Sequence, residues 1–147
     1  MEYLYLMFLI NTDTYNKIVE LKPDIDKVYA IELSQVIDKY SATYNVPSES
    51  LVKLAYIESK FKLNAINKIT KDFGIMQINI RNIKAYNLDK SRLLNDTDYS
   101  VESGAKVFAY FYHRYASTEE AIRRYNCGVK KACIKFNNAY WNKYVSI

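Results

Sequence analysis

Apolar residues recur every three or four positions along four stretches of the chain, residues 25–44, 49–60, 98–115 and 118–125. This spacing places them on one face of an α-helix and predicts four amphipathic helices. In the first stretch the predicted buried face consists of Val28, Ile31, Val36, Ile37, Tyr40 and Tyr44. The sequence has only 2 prolines and 3 glycines, so few positions interrupt these helices. The pattern favours one mainly helical domain.

The ends of the predicted helices carry local signals. Pro47 ends the first helix, and Ser48 is a suitable N-cap for the second. Residues 117–120, Ser-Thr-Glu-Glu, have the pattern of a capping box at the start of the last helix. Between the helices, residues 62–71 contain three lysines and predict a solvated loop. Residues 73–80 are predicted as a short strand or an irregular turn.

The N-terminal residues do not share the helical pattern. Residues 3–10 form an apolar run, which is either the hydrophobic part of a signal peptide or a packed strand or helix start. Glu2 stands where a signal peptide carries Lys or Arg, and no small-x-small cleavage site follows, so a packed segment is favoured. The run is too short to span a bilayer. Residues 11–26 are predicted as a connector. We therefore divide the chain into an N-terminal extension, residues 1–24, and a domain, residues 25–147.

The charge of the chain suits an anionic partner. The formal net charge is +5, which is compatible with nucleic acid, an anionic membrane or bacterial cell wall. No run of five Lys or Arg residues occurs, so a nucleic-acid-binding arm is not indicated. His113 is the single histidine and there are two cysteines, too few ligands for a Cys/His zinc site. We expect no metal and no other cofactor.

Glu58 is the strongest candidate for a catalytic group. It lies about one helical turn after Leu54 and Ala55, so it shares or borders the face that packs on the core. Partial burial raises the pKa of a carboxyl group. A carboxylic acid that retains its proton near neutral pH is what the cleavage of a glycosidic bond requires. The alternative is a glutamate at the exposed end of a helix.

Residues 58–79 and a later segment resemble the soluble lytic transglycosylase (SLT) domain of the lysozyme-like superfamily. The matching elements are Glu58-Ser59, Phe61, Ala65-x-Asn67, Gly74-Ile75-Met76-Gln77 and Tyr125-Asn126-x-Gly128. Tyr144-Val145 is a weaker match. The resemblance covers about residues 30–147. It implies a mainly α, lysozyme-like α+β fold, with a helical bundle around a sugar-binding cleft and at most a minimal β element.

The resemblance also implies an activity. The chain is expected to be a muramidase that cleaves the β-1,4 bond between MurNAc and GlcNAc in peptidoglycan. Glu58 would act as general acid and then as base, leaving a 1,6-anhydro-MurNAc end. The substrate-binding residues implied by the match are Ser59, Asn67, Met76, Gln77, Asn79, Tyr125, Asn126 and Tyr144. Two features depart from the family: Asn67 replaces a frequent serine, and Arg124 and Cys127 replace alanines beside Tyr125-Asn126.

The presence of Asp72 leaves two types of reaction possible, a lyase and a hydrolase. Animal-type lysozymes carry an aspartate at this motif position, so a hydrolase that uses Glu58 and Asp72 is the main alternative to the lyase. Export-associated lytic enzymes also carry an acid here, and the side chain could instead cap or pair with the basic loop. The lyase is favoured because Met76-Gln77 and Tyr125-Asn126-x-Gly128 follow the SLT pattern. An alternative from another class is a wall-binding or structural module without turnover.

Cys127 and Cys133 are six residues apart, beside Tyr125-Asn126. A disulfide between them would fix that segment and indicate an oxidising compartment. Two free, buried thiols are an equal alternative on the sequence alone.

The implied partner is the glycan strand of peptidoglycan, with action in the periplasm or cell envelope. Small muramidases without a convincing signal peptide often belong to a delivery machine. A phage virion or an envelope-spanning secretion apparatus is therefore expected as the route of delivery. Neither nucleic acid nor a membrane span is expected.

Overall fold

The computed structural model describes residues 12–115, 117–129 and 138–147, and these are mainly helical. The helices are α1 (Thr12–Leu21), α2 (Lys27–Tyr44), α3 (Ser48–Ser59), α4 (Ile80–Ala85), α5 (Lys90–Asn95), α6 (Thr97–Arg114), α7 (Thr118–Cys127) and α8 (Asn138–Val145). Between α3 and α4 lie the strands β1 (Ile66–Asn67), β2 (Asp72–Phe73) and β3 (Ile78–Asn79). The predicted fold class, mainly α with a minimal β element, is confirmed.

Helix α1 occupies most of the segment that the sequence predicted as a connector, so that prediction is wrong for Thr12–Leu21. The helix packs against α2 and α3, and Ile18 is fully buried. Thr14 Oγ1 donates a hydrogen bond to Asp38 Oδ1 at 2.6 Å. The helix has only a narrow apolar stripe on an otherwise polar surface. The prediction of a connector was based on the overall polarity of the segment and did not detect this stripe. The apolar run at residues 3–10 lies outside the described residues, and the boundary at residue 24 stays a prediction.

Helix α2 begins where Asp26 accepts a hydrogen bond from the Tyr29 amide, as expected of an N-cap. Its buried face includes Ile37 and Tyr40 as predicted, but it does not include Val28. Val28, placed on the buried face by the sequence analysis, is 56% exposed. The residues that α2 buries are Ala30, Leu33, Ser34, Ile37 and Tyr40. Val28 is two residues before Ala30, and two residues turn about 200° around a helix, so the two side chains point in opposite directions.

Helix α6 packs against α2, α5 and α7 and contributes much of the core. Gly104 lies where α6 meets the segment after β2, and a Cβ at this position would stand 2.4 Å from Met76 Cγ. The contact is therefore possible only without a side chain at residue 104. At the start of α7, Ser117 Oγ accepts a hydrogen bond from the Glu120 amide at 3.3 Å, in agreement with the capping signal.

The three strands form one antiparallel sheet in the order β1-β2-β3, with Asp72 paired to Asn67 on one side and to Asn79 on the other. A turn at residues 74–77 joins β2 to β3. Gly74 has φ +84 in this turn, and its amide donates to Ala65 O at 2.8 Å. The prediction of a short strand or a turn for residues 73–80 is confirmed as a combination of both. The sheet returns the chain to the end of α3, where Glu58 lies.

Candidate active site

Glu58 lies near the end of α3, one turn after the fully buried Leu54 and Ala55, and it is half-buried. Its carboxyl group lines a cleft of about 1080 Å³. The cleft runs between the sheet, α4, α6 and α7, and its walls include Asp72, Gln77, Tyr125 and Asn126. The packing of α3 therefore presents one carboxyl group at the boundary between core and cleft.

The surroundings of Glu58 favour its protonated form. Burial raises the pKa of Glu58 to about 7, and the negative charge of Asp72 adds to the rise. Two groups act in the opposite direction, because a hydrogen bond from Tyr140 and the charge of Lys143 favour the ionised form. The Tyr140 hydroxyl donates to Glu58 Oε1 at 2.5 Å. Burial outweighs both, so a large share of Glu58 carries a proton near neutral pH.

Tyr140 is a site residue that the sequence analysis did not name. It lies in α8, one helical turn before Tyr144, and its side chain is buried. The available signal was the spacing of four residues, which places both tyrosines on one face of the helix. Tyr144 itself shares a hydrogen bond with Ser50 at 2.9 Å and is not among the residues that line the cleft.

Asp72 shares the cleft with Glu58 and is held by its neighbours. Its Oδ1 accepts a hydrogen bond from Asn79 Nδ2 at 2.7 Å, and its Oδ2 accepts one from the Thr70 hydroxyl. The side chain is half-buried in β2. The second predicted carboxyl group is thus present in the same cleft, and both of its oxygens accept hydrogen bonds.

The predicted Gly-Ile-Met-Gln segment forms one wall of the cleft. Gln77 lines the cleft, and its side-chain amide donates to Gly74 O at 2.8 Å and to Ala65 O at 3.1 Å. Met76 is fully buried, and its carbonyl accepts a hydrogen bond from the Tyr125 hydroxyl at 2.7 Å. The side chain of Met76 packs in the core, so its backbone rather than its thioether connects it to the site.

Two predicted site residues, Ser59 and Asn67, form hydrogen bonds with other residues of the chain. Ser59 Oγ donates to Ile75 O at 2.7 Å, which ties the end of α3 to the segment that follows β2. Asn67 Oδ1 accepts hydrogen bonds from the amides of Ile69 and Thr70 at 3.1 and 3.2 Å. Both residues line a second, shallower hollow that also borders Glu58. Their predicted contacts with substrate stay predictions.

Tyr125 and Asn126 lie at the end of α7 and line the cleft, with Asn126 exposed. Burial, followed by the charges of Glu58 and Asp72, raises the pKa of Tyr125 well above its usual value, so its hydroxyl stays protonated. Cys127 also lines the cleft, whereas Cys133 lies outside the described residues. The disulfide between them stays a prediction.

Comparison with known proteins places the chain in a family. The family model of the transglycosylase SLT domain matches residues 35–146. Protein IpgF of Shigella sonnei is 32% identical over 120 residues, which cover 75% of this chain and 79% of that protein. The invasion protein IagB of Salmonella typhimurium (strain SL1344) is 31% identical over 111 residues, 69% of each protein.

One solved structure supports the fold. The 70 kDa soluble lytic transglycosylase SLT70 from Escherichia coli matches with a TM-score of 0.59 at 14% identity. The match covers 90% of this chain but 23% of the SLT70 chain, so the chain spans less than a quarter of that protein.

A mainly helical, lysozyme-like fold and a cleft that contains a half-buried glutamate are typical of the lytic transglycosylases. The chain belongs to the transglycosylase SLT domain family, whose model covers most of its length. The sequence-based predictions of this family, of the fold and of a lytic transglycosylase as the class of enzyme are confirmed. An SLT domain that acts on peptidoglycan acts in the cell envelope. In the described part of the chain, every helix is too short or too polar to cross a lipid bilayer.

Proposed function

We propose that this protein is a lytic transglycosylase that cleaves the β-1,4 bond between MurNAc and GlcNAc in peptidoglycan, with Glu58 as its general acid and base. The single observation that carries the proposal is the position of Glu58, half-buried in the cleft with a pKa of about 7. A group with this pKa can both donate and accept a proton near neutral pH. Gln77 and Tyr125 line the same cleft and would help to bind the sugar.

The proposed reaction proceeds in two proton transfers. Glu58 first donates its proton to the glycosidic oxygen as the bond from that oxygen to C1 of MurNAc breaks. The resulting carboxylate then accepts the proton of the C6 hydroxyl group of the same sugar, whose oxygen bonds to C1. The products are a 1,6-anhydro end and a free hydroxyl on the leaving sugar. No water is consumed, and Glu58 ends protonated.

Asp72 supports a second candidate, a hydrolase of the lysozyme type. Its negative charge raises the pKa of Glu58, so the two carboxyl groups are close enough to interact. The hydrogen bonds from Asn79 and Thr70 stabilise the carboxylate and make it a weaker nucleophile. We therefore favour electrostatic support of the developing positive charge as the role of Asp72, which is compatible with the lyase.

Product analysis distinguishes the two reactions. Digestion of purified peptidoglycan, followed by mass spectrometry of the fragments, should give muropeptides that end in 1,6-anhydro-MurNAc. These fragments are lighter by one water than those from a lysozyme digest of the same wall. Fragments with reducing MurNAc ends would exclude the lyase and support hydrolysis. An unchanged wall would exclude both and favour a binding module without turnover.

The rate of wall cleavage is expected to fall as the pH rises through about 7, because Glu58 must be protonated to donate to the glycosidic oxygen. In Tyr140→Phe, the hydrogen bond that favours the ionised carboxylate is lost, so the pKa of Glu58 rises. The descending limb of the pH–rate profile should then move to higher pH. The measurement is kcat/KM on soluble wall fragments between pH 5 and pH 9.

Tyr44→Phe is the matched control for this change. The Tyr44 hydroxyl also bonds a carboxylate, that of Glu102 at 3.0 Å, but neither residue lines the cleft. Its profile should coincide with that of the unmodified protein. A Tyr140→Phe profile with an unshifted descending limb would show that Glu58 is not the group whose ionisation limits the rate.

A delivery machine is the partner that we propose beyond the wall itself. The relative IagB carries the name of an invasion protein. That name, together with the small size of the domain, supports a role in the local opening of peptidoglycan for a secretion apparatus. A phage virion is the alternative route. Detection of the protein in the envelope fraction of the host, together with the assembled apparatus, would test this part of the proposal.

A further inference from the structure

Two tyrosines differ from the others because their side chains are exposed. Tyr86 is 40% exposed and Tyr110 is 44% exposed. Every other tyrosine in residues 12–115, 117–129 and 138–147 is buried or half-buried. Both exposed rings line the same cleft as Glu58. The described chain thus places its exposed tyrosine surface inside the proposed active-site cleft.

Tyr86 and Asn79 lie at opposite ends of α4. Tyr86 follows α4, and Asn79 at the other end of that helix bonds Asp72. Seven residues at 1.5 Å per residue separate Tyr86 from Asn79 by about 10 Å. Tyr86 is therefore at the far end of α4 from the contact between Asn79 and Asp72.

Tyr110 completes the same part of the cleft. It lies one helical turn after Val107 on α6, and Val107 also lines the cleft. Burial, and then the electrostatic influence of Tyr110, raise the pKa of Tyr86, so the two side chains are close enough to interact. Ala85 and Phe111 also line the cleft beside the two rings, and the guanidinium carbon of Arg114 lies 5.7 Å from the centroid of the Tyr110 ring.

We propose that Tyr86 and Tyr110 form a subsite for a sugar of the glycan strand that is remote from the cleaved bond. The inference rests on the proposed function and adds a preference for long strands. A pyranose ring has an apolar face of C–H groups and an edge of hydroxyls, which matches the apolar body and polar tip of tyrosine. The cleft volume of about 1080 Å³ exceeds the roughly 300–1,000 Å³ of pockets for drug-sized ligands. It therefore has room for more than one sugar.

The test compares ligands of two lengths. Binding of the GlcNAc trimer and of the GlcNAc hexamer is measured by titration calorimetry in a Glu58→Gln background, which prevents turnover. Adding Tyr86→Ala and Tyr110→Ala together should weaken hexamer binding by about tenfold, which corresponds to about 1.4 kcal/mol, because the stacking contacts of both rings are lost. Trimer binding should change less than twofold. The double change to Phe should retain hexamer affinity, because stacking does not require the hydroxyl groups.

Val28→Ala is the control, because Val28 is exposed on α2 and does not line the cleft. It should leave both affinities unchanged. An unchanged hexamer affinity in the double Ala variant, or an equal loss for trimer and hexamer, would overturn the subsite. Binding is read without cleavage, so this result is separate from the reaction itself. If product analysis excludes the lyase, a difference between hexamer and trimer binding can still be measured. If that difference is absent, product analysis can still identify the lyase.

Discussion

Replacing Glu58 with glutamine is expected to lower the rate of peptidoglycan clearance by roughly 10²–10⁴-fold, the usual contribution of a general acid. Glutamine has almost the same shape as glutamic acid but has no proton to give to the glycosidic oxygen. The half-buried position and the raised pKa of Glu58 are what make this proton available near neutral pH. Turbidity of a wall suspension, followed over time at pH 6 and pH 7, measures the rate.

Glu49→Gln provides the matched control. Glu49 lies in the first turn of the same helix, 66% of its side chain is exposed, and it pairs with the largely buried Lys53. The glutamate end of the pair is in solvent, and glutamine retains a side-chain oxygen that can accept a hydrogen bond from Lys53, so the control should fold and clear the wall normally. Circular dichroism should show the same helix content for both variants. Unimpaired clearance by Glu58→Gln would refute the catalytic assignment.

Replacing Gly74 with alanine is expected to destabilise the fold by about 2–5 kcal/mol, the combined cost of a left-handed backbone for alanine and of overpacking. Gly74 has φ +84, and a Cβ at this position would lie 2.4 Å from Leu93 O and 2.8 Å from Ser100 Oγ. The nearest atom belongs to the backbone, which cannot turn aside as a flexible side chain does. Urea unfolding followed by circular dichroism should show a lower midpoint with an unchanged slope.

Gly128→Ala separates the two causes. Gly128 has nearly the same φ, +85, but among residues 12–115, 117–129 and 138–147 no atom lies within 4 Å of the position of an added Cβ. This variant carries backbone strain alone, about 1–3 kcal/mol. Gly74→Ala should therefore lose clearly more stability than Gly128→Ala. Equal losses would contradict the close packing of the turn against the chain at Leu93.

Wall clearance by Gly74→Ala should fall with its folded fraction. The turn at Gly74 carries the carbonyl that accepts a hydrogen bond from Gln77. Displacement of the turn would move one wall of the cleft as well as weaken the fold.

The local elements of the fold could be predicted because the signals for them lie within a few residues. The helix predicted for residues 49–60 is observed as Ser48–Ser59, with Glu58 in its last turn. The capping serine of α7 is present where its four-residue pattern predicted it. The resemblance to the SLT domain placed Glu58, Gln77 and Tyr125 at a common site, and the structure brings these three residues to one cleft.

Other features could not be predicted from spacing. Helix α1 was missed because its few apolar residues form only a narrow stripe. That the stripe is a buried face is evident only from its packing against α2 and α3. Val28 fits the helical period of α2, yet it is 56% exposed, since no element in the described part of the chain covers that side of the helix. A helical period shows which residues share a face, and the partner elements decide which face is buried.

By itself the sequence determined four of the helices, the family and the acid that we assign to the reaction, because each of these depends on residue types at short, fixed spacing. Only the tertiary structure decided which groups raise and lower the pKa of that acid. Tyr140 donates to Glu58 across 82 positions of the chain, and Asp72 reaches the same cleft through a three-stranded sheet. It also decided that Tyr86 and Tyr110 face the cleft. Burial and charge at a site are set by groups that folding brings together, and no short pattern in the chain records them.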